Sequence, residues 1–132
     1  MLHPAEAEFL RRFIVKNKRN RLLFELSDEG RRAQAVDRFS HNAEELLLLD
    51  KAVLSGGKLS IEQIVSSLKE NSSGGECHAV LSDGGTIDTG IEEAVKAVYG
   101  DGPAIVITQG TVYIETEPWT PTARYVLACK TE

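Results

Sequence analysis

The chain has 132 residues, 42% hydrophobic and 27% charged, with a formal net charge of -5 at pH 7. That length suits one domain able to bury its own core without needing a metal or disulfide scaffold, and the composition lies outside the disordered range. Charge is divided along the chain: residues 1–38 carry nine Lys or Arg against six Asp or Glu, whereas residues 39–132 carry six against fourteen.

No apolar run approaches the roughly 18 to 20 residues of a membrane span. The first 20 residues hold a charged amphipathic pattern rather than the apolar stretch of a signal peptide. A cytosolic location without a membrane partner is therefore expected, with Cys77 and Cys129 as reduced thiols.

Pro4 suits the first turn of a helix, and Glu6 and Glu8 complement its positive end. Phe9, Leu10, Phe13 and Ile14 follow with helical spacing. The run Lys16 to Arg21 is either a charged helical surface or a connection, after which Leu22, Leu23, Phe24 and Leu26 resume the apolar supply. Ser27 is placed to cap a further helix running to about Phe39, with Gly30 weakening it. Residues 43–54 suit a helix by propensity, and their four consecutive leucines equally suit a buried extended segment.

Ser60 and Gln63 form a capping box, with Leu59 and Ile64 as its hydrophobic staple and Ile61, Ile64, Val65 and Leu68 as the buried stripe. A short strand is expected over residues 77–82, then a turn at Asp83-Gly84-Gly85. Thr89 and Glu92 read as a second capping box, opening a helix that ends at Gly100. A strand, a helix and a strand make a right-handed crossover, which predicts parallel strands at 77–82 and 104–108. Residues 104–115 read as a hairpin turning at Gln109-Gly110, pairing Ile107 with Val112 and Ile105 with Ile114, so that these four share one face. A last strand is expected near residues 124–130. The fold class is thus α+β: a single domain over residues 1–132, with an N-terminal helical layer on a mixed sheet of about four strands containing a C-terminal hairpin.

Cys77 and His78 are the most reactive-looking pair, but neighbours on a strand point to opposite faces and make a poor dyad. His41 serves as a base for Cys77 only if the fold joins them, and a small buried residue is the simpler reading of Cys77. The three histidines and two cysteines lack zinc-type spacing, so no metal or cofactor is expected. Asp83 lies in a glycine-rich turn that matches no phosphate-binding motif. Arg11, Arg12, Lys16, Lys18, Arg19, Arg21, Arg31 and Arg32 are either solvated helix faces or a surface for an acidic partner. Trp119, flanked by Pro118 and Pro121, is either an interface anchor or a cover for the end of the sheet.

The segment FIVKNKRNRLLFEL, followed by Arg31-Arg32, Phe39 and His41, resembles the opening of a family of small uncharacterised bacterial proteins. Asp88-Thr89-Gly90, the helix ending near Gly100 and the closing Arg124 to Leu127 are similar to that family's later half. The resemblance implies a bacterial, cytosolic, single-domain protein and transfers no function or site. The expectation is a non-catalytic protein-interaction or regulatory module, binding another protein or itself as a homodimer. A small enzyme using Cys77 or Asp83 is the alternative, and nucleic-acid binding through the basic helices comes third, disfavoured by the acidic remainder of the chain.

Overall fold

A computed structural model describes residues 2–116 and 124–129. Trp119 and the Pro118 to Pro121 loop lie outside the described residues.

The N-terminal helices are α1 (Pro4–Phe13), α2 (Arg19–Ser27) and α3 (Arg32–Leu46). The basic run is one 3-10 turn leading into α2, and Ser27 ends α2 instead of capping the next helix. Asp28 takes the capping role, accepting from the Gly30 amide at 3.0 Å ahead of a short 3-10 turn. The leucine run divides between the end of α3, a bridge pairing Leu47 with Ile14, another 3-10 turn and the strand β1 (Ala52–Ser55). Helix α4 (Ile61–Asn71) begins on the expected capping box: the Gln63 amide donates to Ser60 Oγ at 3.1 Å and the Ser60 amide to Gln63 Oε1 at 2.9 Å.

Next come β2 (Glu76–Val80), β3 (Thr86–Gly90), α5 (Ile91–Val98), β4 (Ala104–Ile107), β5 (Thr111–Glu115) and β6 (Arg124–Ala128). The hairpin register is as expected, with Ile105 opposite Ile114 and Ile107 opposite Val112. Gly110 has φ of 94° while Gln109 stays at negative φ, the sign pattern of a type II turn.

The sheet corrects the expectation in number and direction. Among the described residues it has six strands in the order β1-β6-β5-β4-β2-β3, and every pairing is antiparallel. The two additional strands are β1, within the segment that suited either a helix or an extended run, and β3. The second of these alters the topology. It reverses the chain before α5 starts, so β4 returns antiparallel to β2 and no parallel crossover forms. Thr89, read as a helix cap, pairs with Cys77 inside the ladder, and α5 starts from Gly90 without a side-chain cap.

Helices cover both faces. Helices α1, α2 and α3 pack on Val80, Ile105, Ile107, Val112, Ile114, Tyr125 and Leu127. Helices α4 and α5 pack on Cys77, Ala79, Ala104, Val106, Tyr113 and Val126. The capped helix α4 therefore lies opposite the four-aliphatic face, not over it. A strand buried on both sides has no polar alternation, which is why β4 is apolar throughout and β5 is apolar from Val112 to Ile114.

An ion pair closes the α5 side of the sheet. Arg124 donates from Nε to Glu115 Oε1 at 2.8 Å and from Nη2 to Oε2 at 3.1 Å, while Nη1 reaches the Gly57 carbonyl at 2.6 Å. The Tyr113 hydroxyl also donates to Glu115, and the Arg124 guanidinium lies 4.0 Å from the Tyr99 ring centroid. Glu115 is fully buried, so removing its partner leaves an uncompensated charge in the core. Arg124→Met is expected to lower stability by about 3–5 kcal/mol, read from urea melts, and Phe39→Ala by a similar amount through the cavity it leaves between α3 and α1.

Candidate functional site

Alternation along β2 sends Cys77 toward α4 and α5 and its neighbour His78 toward α1, as strand geometry requires. His78 is 5% exposed and held between two carboxylates: Nε2 lies 2.7 Å from Glu6 Oε2, and Nδ1 lies 2.8 Å from Asp88 Oδ1. Ionised carboxylates only accept, so this arrangement favours a ring that donates from both nitrogens, the imidazolium. Burial opposes that charge, but the hydrogen bonds to Glu6 and Asp88 prevail and raise the His78 pKa above its ordinary value.

Glu6 is the fixed point. Burial alone would raise its pKa, yet the bonds from His78 and Arg32 outweigh it and bring the carboxyl down to about 2. Arg32 binds both Glu6 oxygens, from Nη1 at 2.7 Å and Nη2 at 2.8 Å, while Nε donates to the Gly84 carbonyl at 2.8 Å and Nη1 to the Leu26 carbonyl at 2.7 Å. Gly84 has φ of 88°, and a Cβ there would stand 2.8 Å from Arg32 Cβ, so glycine is required where the β2-β3 turn meets α3. The His3 ring stacks on His78 at 3.8 Å between centroids and 14° between planes, and its Nδ1 accepts from the Ala5 amide at 3.0 Å, capping α1.

Two hollows meet at this histidine. A cleft of about 880 Å³ runs past the start of α1 and the β4-β5 turn, lined by Glu8, Arg12, Asn71, Cys77, His78, Asp88, Thr108 and Cys129 among others. A shallower hollow of about 510 Å³ is bounded by His3, Glu6, Arg32, His78 and the Asp83 to Thr86 turn.

The sequence-selected residues do not converge. Cys77 is buried, and burial, with help from Glu76 and Glu93, pushes its thiol up to about 12, far from a nucleophile's range. His41 is exposed on α3, and Asp83 accepts from the Gly85 amide at 2.8 Å within its own turn. Arg32 is turned inward, and Arg19 donates to the Ile14 carbonyl at 2.9 Å. Arg11 and Arg12 both pair with Glu8, and a hydrogen bond to Cys129, with the nearby Glu8, raises the Arg12 pKa. Lys16, Lys18, Arg21 and Arg31 remain exposed around α2, where Phe24 is 59% exposed and Leu23 43% exposed. The Arg31 guanidinium lies 5.3 Å from the Phe24 ring centroid.

Glu6, Asp88 and His3 were missed as a group because they lie at the start of α1 and on the unexpected strand β3, far apart in sequence. One signal was available: Glu6 stands three, four and seven residues before Phe9, Leu10 and Phe13, which puts it on the buried stripe of α1.

Comparison with protein-family profiles, curated proteins and solved structures gives no significant match. No described helix is long and apolar enough to cross a membrane.

The two shifted groups set opposite pH limits. The lowered Glu6 pKa contributes stability that is present above its ordinary value of 4.5 and is lost as pH falls toward about 2. The raised His78 pKa contributes stability that is complete below 6.5 and is lost as pH rises through the folded-state value. Urea melts across pH are expected to show a maximum between these limits, and Glu6→Gln to flatten the acid side. Alkylation of the native protein at neutral pH is expected to label the half-buried Cys129 well before Cys77, as peptide mass mapping would show.

Proposed function

We propose that this is a non-catalytic, cytosolic bacterial interaction module that docks an acidic protein partner on the exposed face of α2. The observation carrying this reading is the pairing of Phe24 and Leu23 in solvent beside Lys16, Lys18 and Arg21. Residues 16–24 contain four basic side chains and no acidic one. Exposed aromatic and aliphatic side chains framed by cations make an anchor with charge selection: the ring gives up water on docking, and the cations steer an acidic surface. Cys77, with its raised pKa and no imidazole on its face of the strand, gives the catalytic alternative little support.

The test is binding of a labelled peptide of alternating glutamate and leucine, followed by fluorescence anisotropy at rising salt. Salt-sensitive binding is expected, with Leu23→Ser/Phe24→Ser costing about 2 kcal/mol, roughly thirtyfold. Arg21→Glu should weaken it further. Equal binding by wild type and the double variant overturns the reading. Light scattering gives a second decision: a wild-type dimer that Phe24→Ser dissociates makes a second copy the occupant and removes the acidic partner. Salt-sensitive retention on RNA or DNA that ignores Phe24→Ser would transfer the surface to nucleic acid.

A further inference from the structure

His78 gives one ring nitrogen to a carboxylate that cannot turn and the other to a carboxylate at the surface. Arg32 grips both oxygens of buried Glu6, so the Nε2 bond fixes the ring and directs Nδ1 toward Asp88, whose side chain is 64% exposed. Metal-binding histidines nearly always pass their second N-H to a carboxylate, a backbone carbonyl or water, which sets the tautomer and raises the basicity of the ligating nitrogen. Asp88 and His3 add a carboxylate and a second imidazole. One donor atom from each of His3, His78 and Asp88 lies within 4.8 Å of the other two. Ligands of a tetrahedral zinc ion, at about 2.0 to 2.2 Å from the metal, stand about 3.4 Å apart. Asp88 closes the difference by rotating its side chain and His3 by turning out of its stack on His78, and both side chains are exposed.

The geometry points to a site for one divalent transition-metal ion of the zinc class, held by His78 Nδ1, the Asp88 carboxylate and the His3 imidazole, with Glu6 and Arg32 supporting His78 from behind. Two imidazoles and one carboxylate favour such an ion over magnesium or calcium, which take oxygen ligands. The ion replaces the proton between His78 Nδ1 and Asp88: the Nδ1 lone pair goes to the metal, the proton leaves to solvent, and Nε2-H continues to donate to Glu6. His3 leaves its stack, because two parallel rings cannot aim both lone pairs at one ion, and it releases the Ala5 amide. The ion reaches the site through the cleft that His78 and Asp88 line.

Calorimetric titration of the chelator-stripped full chain with zinc chloride is expected to show one ion per chain at micromolar affinity or tighter. His3→Ser retains a helix cap while removing the imidazole, and Asp88→Asn retains an acceptor while removing the charge; both positions are exposed. Each is expected to weaken binding by more than the roughly 10- to 100-fold that loss of an outer-shell partner costs, with circular dichroism unchanged. His41→Ala and Cys129→Ser are expected to bind as the wild type does. Failure of the folded wild type to bind zinc overturns the assignment. So does binding that survives both His3→Ser and Asp88→Asn, or that disappears only with Cys129→Ser.

Discussion

A carboxylate placed on the apolar stripe of a helix has to find cations inside the protein, and Glu6 meets that constraint by joining parts of the chain far apart in sequence. Its oxygens are shared by Arg32 at the start of α3 and His78 on β2, and Arg32 in turn holds the β2-β3 turn through the Gly84 carbonyl. Burying ions costs several kcal/mol each before their attraction is counted, so the network contributes most by making other arrangements of α1, α3 and β2 worse. Burying this face of α1 without Arg32 and His78 beside it would leave the Glu6 charge unpaired.

The same logic recurs on the other face at Glu115 and Arg124, where the ends of β5 and β6 meet α5 and the Gly57 carbonyl. Between these two charged clamps the sheet is covered on both sides by aliphatic side chains, which have no directional preference. The directional contacts lie at the rim and fix the orientation of each helical layer. At the His78 rim the clamp also faces open clefts, so one set of bonds both orders the fold and presents polar atoms to solvent.

The basic N-terminal segment shows why counting charge along a sequence does not locate a surface. Arg32 and Arg38 are occupied by buried Glu6 and Glu25, and Arg19 supports the Ile14 carbonyl, whereas Lys16, Lys18 and Arg21 remain in solvent beside Leu23 and Phe24. Helical spacing identifies which residues share a face, but it does not say which face a neighbouring element will cover.

Local chemistry is written plainly in the chain: the Ser60 capping box, the Phe9 to Ile14 stripe, the hairpin register around Gly110 and the opposed directions of Cys77 and His78 all follow from interactions spanning a few residues. Strand β3 was hidden because five residues of weak alternation also fit a helix start at Thr89. With it went the strand directions, which depend on how many reversals precede each return to the sheet. The grouping of Glu6, Asp88, His3 and Arg32 around His78 was decided by tertiary structure alone. The bonds from α1 link residues as many as 72 positions apart and depend on its packing against the sheet, while Asp88 meets His78 as its cross-strand partner in the β2-β3 pairing.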